Sequence, residues 1–150
     1  MIQDLLVCLD SSPSAPAVMA AAVDLALRFS ATIHPLRVIA LAQDAKPAAG
    51  EGGTHAILPH VTRAAVRELL DLAVDATEVL VEPPIVKVGD PAWRVIVDTA
   101  EELRVDVIVL GRRAYERDDR TLGTTAMNVT LHAARHVLVV WGDRGHVTGG

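Results

Sequence analysis

The sequence predicts a single α/β domain over residues 1–150, built on one doubly wound parallel sheet of five strands with helices on both faces. Three observations predict it. Short apolar runs of strand length alternate five times with stretches whose apolar residues recur at helical spacing. Hydrophobic residues make up 51% of the chain but aromatics only 3%, so Ala, Val, Leu and Ile must build the core, as in helices packed on a Val/Ile-rich parallel sheet. At 150 residues the chain has the length of one domain and buries roughly 68–70% of its unfolded surface, enough for one sizeable core.

The elements follow in order. Leu5-Leu6-Val7-Cys8-Leu9 is a continuous apolar run, fit for a strand covered on both faces. It ends at Asp10-Ser11-Ser12-Pro13-Ser14, where Ser12 or Ser14 can cap a helix and Pro13 or Pro16 suits its first turn. Val18, Ala22, Leu25, Ala26 and Phe29 form that helix's stripe. Thr32 to Leu41 reads as the second strand, with Pro35 marking an edge or a strand start because it lacks a ladder donor. Gln43 to Thr54 is poor in apolar anchors and rich in Gly, and reads as a loop. A helix is expected from about Pro59 to Ala76, then a third strand from Glu82 to Val88. Asp90 caps the next helix and Pro91 opens it, to about Leu103. Asp106 to Leu110 is the fourth strand, Gly123-Thr124 starts the last helix, and Val137 to Trp141 is the fifth strand. Right-handed crossovers make such a sheet parallel, and ligands then bind beyond the carboxyl ends of its strands. Asp10, Val38, Gly89 and Gly111 all fall at carboxyl ends.

Composition excludes several classes. A net charge of −5 gains little from counterion release, and no basic patch interleaves with aromatics, so a nucleic-acid partner is not expected. No apolar run reaches the ~18 residues of a membrane span, and the amino end carries no secretory signal. A cytoplasmic protein without a membrane partner is the expectation. The one cysteine, Cys8, sits in the first apolar run and reads as a buried small hydrophobe. There is no GxSxG, HExxH or paired-cysteine motif. His132 and His136 have the spacing of two ligands on one helix face, but no third ligand accompanies them, and they read as helix-end histidines.

Two places can carry chemistry. A carboxylate at Asp10, closing the first strand, can hold Mg²⁺ or bond a ribose, or it can serve as a turn and cap residue. Gly111-Arg112-Arg113-Ala114 and Gly123-Thr124-Thr125 bracket a loop that closes onto a helix N-terminus, where free N–H groups, the helix dipole and two hydroxyls favour an anion. The same residues also suit an ordinary loop with a capping threonine.

The segments Val88-Gly89-Asp90-Pro91-Ala92, Ala100-Glu101-Glu102, Asp106-Val107-Ile108-Val109-Leu110-Gly111 and Leu122-Gly123-Thr124 come in that order, then Val129, His132 and Val137-Leu138-Val139-Val140, with an apolar strand, Asp10 and Ser12 at the amino end. In this order and spacing the sequence resembles the universal stress protein family. The resemblance implies an adenine nucleotide alpha-hydrolase-like sheet of order 3-2-1-4-5 and a homodimer through the fifth strand, Val137-Leu138-Val139-Val140-Trp141. In one branch it also implies bound ATP. Carried over residue by residue, Asp10 would meet ribose or Mg²⁺, Ser11 the nucleotide beside it, and Val38 the adenine. Gly111, Arg112, Ala114, Gly123, Thr124 and Thr125 would meet ribose and phosphates. Three departures stand out: Ala114 replaces the loop's second Gly, eight residues and not nine separate Ala114 from Gly123, and Ser11 replaces a Gly. An Ala at positive φ costs roughly 1–2 kcal/mol, so ATP affinity should be weak and AMP should bind as well as ATP.

Two functions follow. One is a stress-response or regulatory protein that binds an adenine nucleotide, ATP or AMP. No general base is poised over a γ-phosphate, so any hydrolysis is slow. The other is a nucleotide-independent homodimeric module, of the ATP-less branch, that contacts a protein partner the sequence does not name.

Overall fold

The computed structural model describes residues 1–40, 53–73, 78–112 and 122–141. The elements run β1 (Asp4–Cys8), α1 (Ala15–Phe29), β2 (Thr32–Ile39), α2 (Gly53–Ala73), β3 (Leu80–Val81), β4 (Ile85–Val88), α3 (Ala92–Leu103), β5 (Val107–Gly111), α4 (Thr124–His132) and β6 (His136–Val140). All pairings are parallel. The order is β3-β2-β1-β5-β6, with β4 also paired to β2.

The expected third strand is therefore two short ones. Pro83 and Pro84 cannot donate to a ladder, and they interrupt the run between Val81 and Ile85. Both pieces flank β2, so the path across the sheet is the expected 3-2-1-4-5 with its third strand broken. The same break corrects the placement of Pro35, which lies inside β2 opposite Val7 and not at an edge or a strand start. In β2 the carbonyls of Ile33 and Ile39 face outward, accepting the N–H groups of Glu82 and Gly89. Pro35 shares their parity, so its missing donor falls in the gap where the outer strand is broken.

The strands bury both faces. Leu5, Val7, Val107 and Val109 pack with Val18, Met19, Ala22 and Ala26 of α1 and Leu69 of α2. Leu6, Ile108 and Leu110 pack with Ile96 and Ala100 of α3 and Ala126 and Val129 of α4. Period-2 alternation thus sends one set of β1 and β5 side chains to each layer, as a doubly covered sheet requires. Thr99 is buried among them, its hydroxyl donating to the Val95 carbonyl at 2.6 Å.

Other expectations shift. Phe29 is 45% exposed and does not continue the α1 stripe. α2 begins at Gly53 and carries Pro59 inside it, so Gly53 and Thr54 belong to a helix; the rest of the expected Gln43–Thr54 loop lies outside the described residues. Pro91, not Asp90, is the N-cap of α3, and no side chain caps that helix. α1 and α4 likewise start without a side-chain cap bond. α4 ends at His132 while His136 opens β6, so the two histidines do not share a helix.

The amino ends of the strands are tied by polar contacts. The Asp106 carboxylate accepts the N–H groups of Gln3 and Asp4 at 2.8 and 2.9 Å, and His34 Nε2 meets Asp4 Oδ1 at 2.9 Å. Arg135 donates two bonds to Glu101, at 2.9 and 3.1 Å. These pairs hold the end of the sheet away from the cleft described next.

Candidate functional site

A cleft opens beyond the carboxyl ends of the three central strands. Its walls are Cys8, Leu9 and Asp10 following β1, Leu36 and Val38 of β2, and Leu110 and Gly111 of β5. Val18 of α1, Ala92 and Ile96 of α3, and Thr125 of α4 complete them. The space these walls enclose is small, about 70 Å³, and it opens to solvent. β1 lies between β2 and β5, so the chain leaves the centre of the sheet in two directions here, the switch point at which such sheets bind ligands.

Asp10, Val38, Gly111 and Thr125, four of the residues singled out in the sequence, line this one cleft. Asp10 Oδ1 accepts the Ser12 N–H at 3.0 Å, which closes the turn into α1 and leaves the carboxylate at the mouth. Its turn role and its place in the site therefore coexist. Ser12 is buried, its hydroxyl 2.8 Å from that of Ser14. Gly111 serves by close approach: a Cβ there would stand 2.8 Å from Val18 Cγ2. Thr125 sits in the first turn of α4, where backbone N–H groups lack intrahelical partners.

The other expected residues are not among those lining the cleft. Gly123 is the N-cap of α4 and Thr124 its first residue, and neither lines the cleft. Ser11 is exposed, with its hydroxyl 3.4 Å from Arg37 Nη2. Arg112 carries its guanidinium 4.6 Å from the centre of the Trp141 ring. Ala114 lies outside the described residues.

Sequence reasoning missed Leu9, Val18, Leu36, Ala92, Ile96 and Leu110 as walls, and assigned Cys8 only to the core. The signal was available in part: stepping back two residues from Asp10 and Val38 gives Cys8 and Leu36, and one helical turn from Ala92 gives Ile96. Burial pushes the Cys8 thiol far above its ordinary range, and the Asp10 charge adds to this. The thiol is thus a protonated, apolar part of the wall and not a nucleophile. Among the described residues no three of His, Cys, Asp and Glu gather as a metal site, and none of the helices is long and apolar enough to cross a membrane.

A parallel sheet covered on both faces, with a carboxylate, a close-packed glycine and the first turn of a helix meeting in a cleft at its switch point, defines a doubly wound α/β protein. The profile of the universal stress protein family matches residues 1–140, and the chain belongs to that family. No curated protein matches it by sequence. Among solved structures it is similar to the hypothetical protein MJ0577, with a TM-score of 0.80 and 22% identity over 95% of this chain and 98% of that one. A universal stress protein in complex with cAMP gives a TM-score of 0.67 and 23% identity, covering 93% and 97% of the two chains. The universal stress protein from Archaeoglobus fulgidus in complex with dAMP gives 0.56 and 20%, covering 93% and 97%.

Proposed function

We propose that this chain is a stress-response or regulatory protein of the cytoplasm that binds an adenine nucleotide, ATP or AMP, weakly in the cleft, and works as a homodimer. The observation that carries this reading is the gathering of Asp10, Val38, Gly111 and Thr125 around one cleft at the switch point of the sheet. Family structures in complex with cAMP and dAMP support it.

The walls divide the labour. Leu36, Val38, Ile96 and Leu110 offer an apolar slot for a base, and the Asp10 carboxylate suits the hydroxyls of a ribose. The first turn of α4, with Thr125, offers N–H groups to a phosphate. Mg²⁺ usually keeps several waters and binds through one or two carboxylates together with substrate phosphates. Asp10 could serve as such a ligand, so any Mg²⁺ would arrive with the nucleotide. Binding and not turnover is the proposed role.

Calorimetry tests the reading, with AMP, ATP and Mg²⁺, and cAMP titrated into the wild type and Asp10→Ala. Binding at micromolar or weaker affinity, reduced in Asp10→Ala, is the expected outcome. No binding of any of the three at millimolar concentration overturns it. That outcome leaves the second reading, a nucleotide-independent interaction module, which the exposed Met127, Leu131, Leu138 and Trp141 favour.

A further inference from the structure

Alternation along the sheet assigns Arg112 to a particular side. Leu110 of β5 and Val139 of β6 pack into the layer formed by α3 and α4. Arg112 follows Leu110 by two residues and Trp141 follows Val139 by two, so both side chains leave the sheet toward that same layer. The Gly111 position instead faces Val18 and Ser14 of α1. The ladder continues through this pair, with the Arg112 N–H donating to the Val140 carbonyl at 3.1 Å, and the guanidinium lies 4.6 Å from the Trp141 ring centre. Arg112 therefore stands one residue beyond a wall of the cleft, on the side from which α4 presents Thr125, and touches the last aromatic of the edge strand.

We infer that Arg112 reads the charge of the ligand in the cleft and passes it to the edge strand through Trp141. The inference rests on the nucleotide reading of the cleft. A phosphate held at the first turn of α4 attracts the guanidinium, because charge-assisted guanidinium–phosphate bonds are among the strong ones. Trp141 is 44% exposed at the end of the edge strand, so a change in how its ring is covered alters the surface of β6 on the side of α3 and α4. A neutral nucleoside can fill the apolar slot and meet Asp10 but offers nothing to the guanidinium. The site then distinguishes nucleotide from nucleoside, and only the nucleotide changes the edge strand.

The test uses the full chain with Trp93→Phe, which leaves Trp141 as the sole tryptophan. AMP and adenosine are titrated by calorimetry and by Trp141 emission, excited at the red edge of indole absorption. AMP should change the emission with the same midpoint as its binding heat, and adenosine at saturation should not. Arg112→Gln should lower the AMP-over-adenosine affinity ratio about tenfold and remove the emission change, as loss of one charge-assisted contact predicts. Arg112→Lys, which keeps charge but loses planar stacking, should keep most of that ratio with a smaller emission change. If AMP binds while Trp141 emission stays constant, or if Arg112→Gln leaves the ratio unchanged, the inference is overturned and the nucleotide reading stands. If neither ligand gives binding heat, both fall.

Discussion

Gly111 and Val18 touch so closely that a single methyl on the glycine would stand 2.8 Å from Val18 Cγ2. Val18 is 2% exposed and held by the layer of α1, so it has little room to retreat. The contact sets the distance between the end of β5 and the start of α1, and with it the width of the cleft. Gly111→Ala should cost about 1–3 kcal/mol by overpacking. Val18→Ala made together with it should recover about 1 kcal/mol relative to the sum of the two single changes, because the two groups meet directly. Urea unfolding of the four proteins of this cycle checks the coupling. Additive effects would show that the glycine is there for another reason.

Acid should loosen the amino end of the sheet. The backbone N–H of Gln3, then that of Asp4, hold the Asp106 carboxyl below its ordinary range, and the Arg135 hydrogen bonds do the same for Glu101. Both groups have folded values below their unfolded ones. Their stabilisation is therefore complete above the unfolded carboxyl range, ~3.9 to 4.3, and is lost as pH falls through the lower folded values. Unfolding free energy should decline below about pH 5 for this reason. Asp106→Asn should be less stable at pH 7 and should lose less on acidification, so the two curves draw together as pH falls through the lowered folded value of Asp106. Parallel curves would remove Asp106 from the account.

Two helices close on left-handed residues that are not glycine. Ser30 ends α1 at φ 54° and Arg104 ends α3 at φ 53°, both exposed. Each N–H still caps its helix, Ser30 to the Ala26 carbonyl and Arg104 to those of Ala100 and Glu101. The conformation costs a side-chain-bearing residue roughly 1–2 kcal/mol, which glycine avoids at the price of a more flexible unfolded chain. Ser30→Gly and Arg104→Gly should each raise stability by up to about 1 kcal/mol, or about 2–4 °C in Tm. Calorimetric melting measures it, and a lower Tm in both variants would contradict the argument.

The sequence was legible where local patterning and burial agree. The runs Leu5–Leu9 and Val107–Leu110 are apolar at every position because both sheet faces are covered, and such runs announce themselves. The strand order came from family likeness, since periodicity carries no information about which strands pair. Pro83-Pro84 could have been read as a break, but the balancing gap at Pro35 is a cross-strand relation that no window along the chain contains. In the site, Asp10, Val38, Gly111 and Thr125 were legible as residues at strand ends and a helix start. Val18, Ala92 and Ile96 were not, because they reach the cleft from helices whose docking depends on tertiary packing. Arg112 was foreseen as a ligand contact and Trp141 as an interface residue, while their contact with each other had no sequence signal.

The edge strand supplies the last prediction. Among the described strands β6 pairs only with β5, so its outer N–H and C=O groups face away from the sheet. An apolar edge of this kind invites pairing, and pairing with a second copy about a two-fold axis would close the assembly. The test belongs at a residue of β6 that does not pack inward. Val139, like Val137, packs against the layer of α3 and α4, so a charge at Val139 would damage the core. Leu138 is 38% exposed, as Trp141 beyond it is 44%. Leu138→Lys should therefore dissociate a dimer while leaving the fold intact, and Val139→Lys should destabilise the chain, since it sets a charge against the apolar layer that Val139 half covers. Light scattering at micromolar concentration should give a dimer mass for the wild type and a monomer mass for Leu138→Lys, with circular dichroism unchanged in the latter. A monomer mass for the wild type would end the proposal of a homodimer through β6, and an undisturbed dimer in Leu138→Lys would move the interface elsewhere.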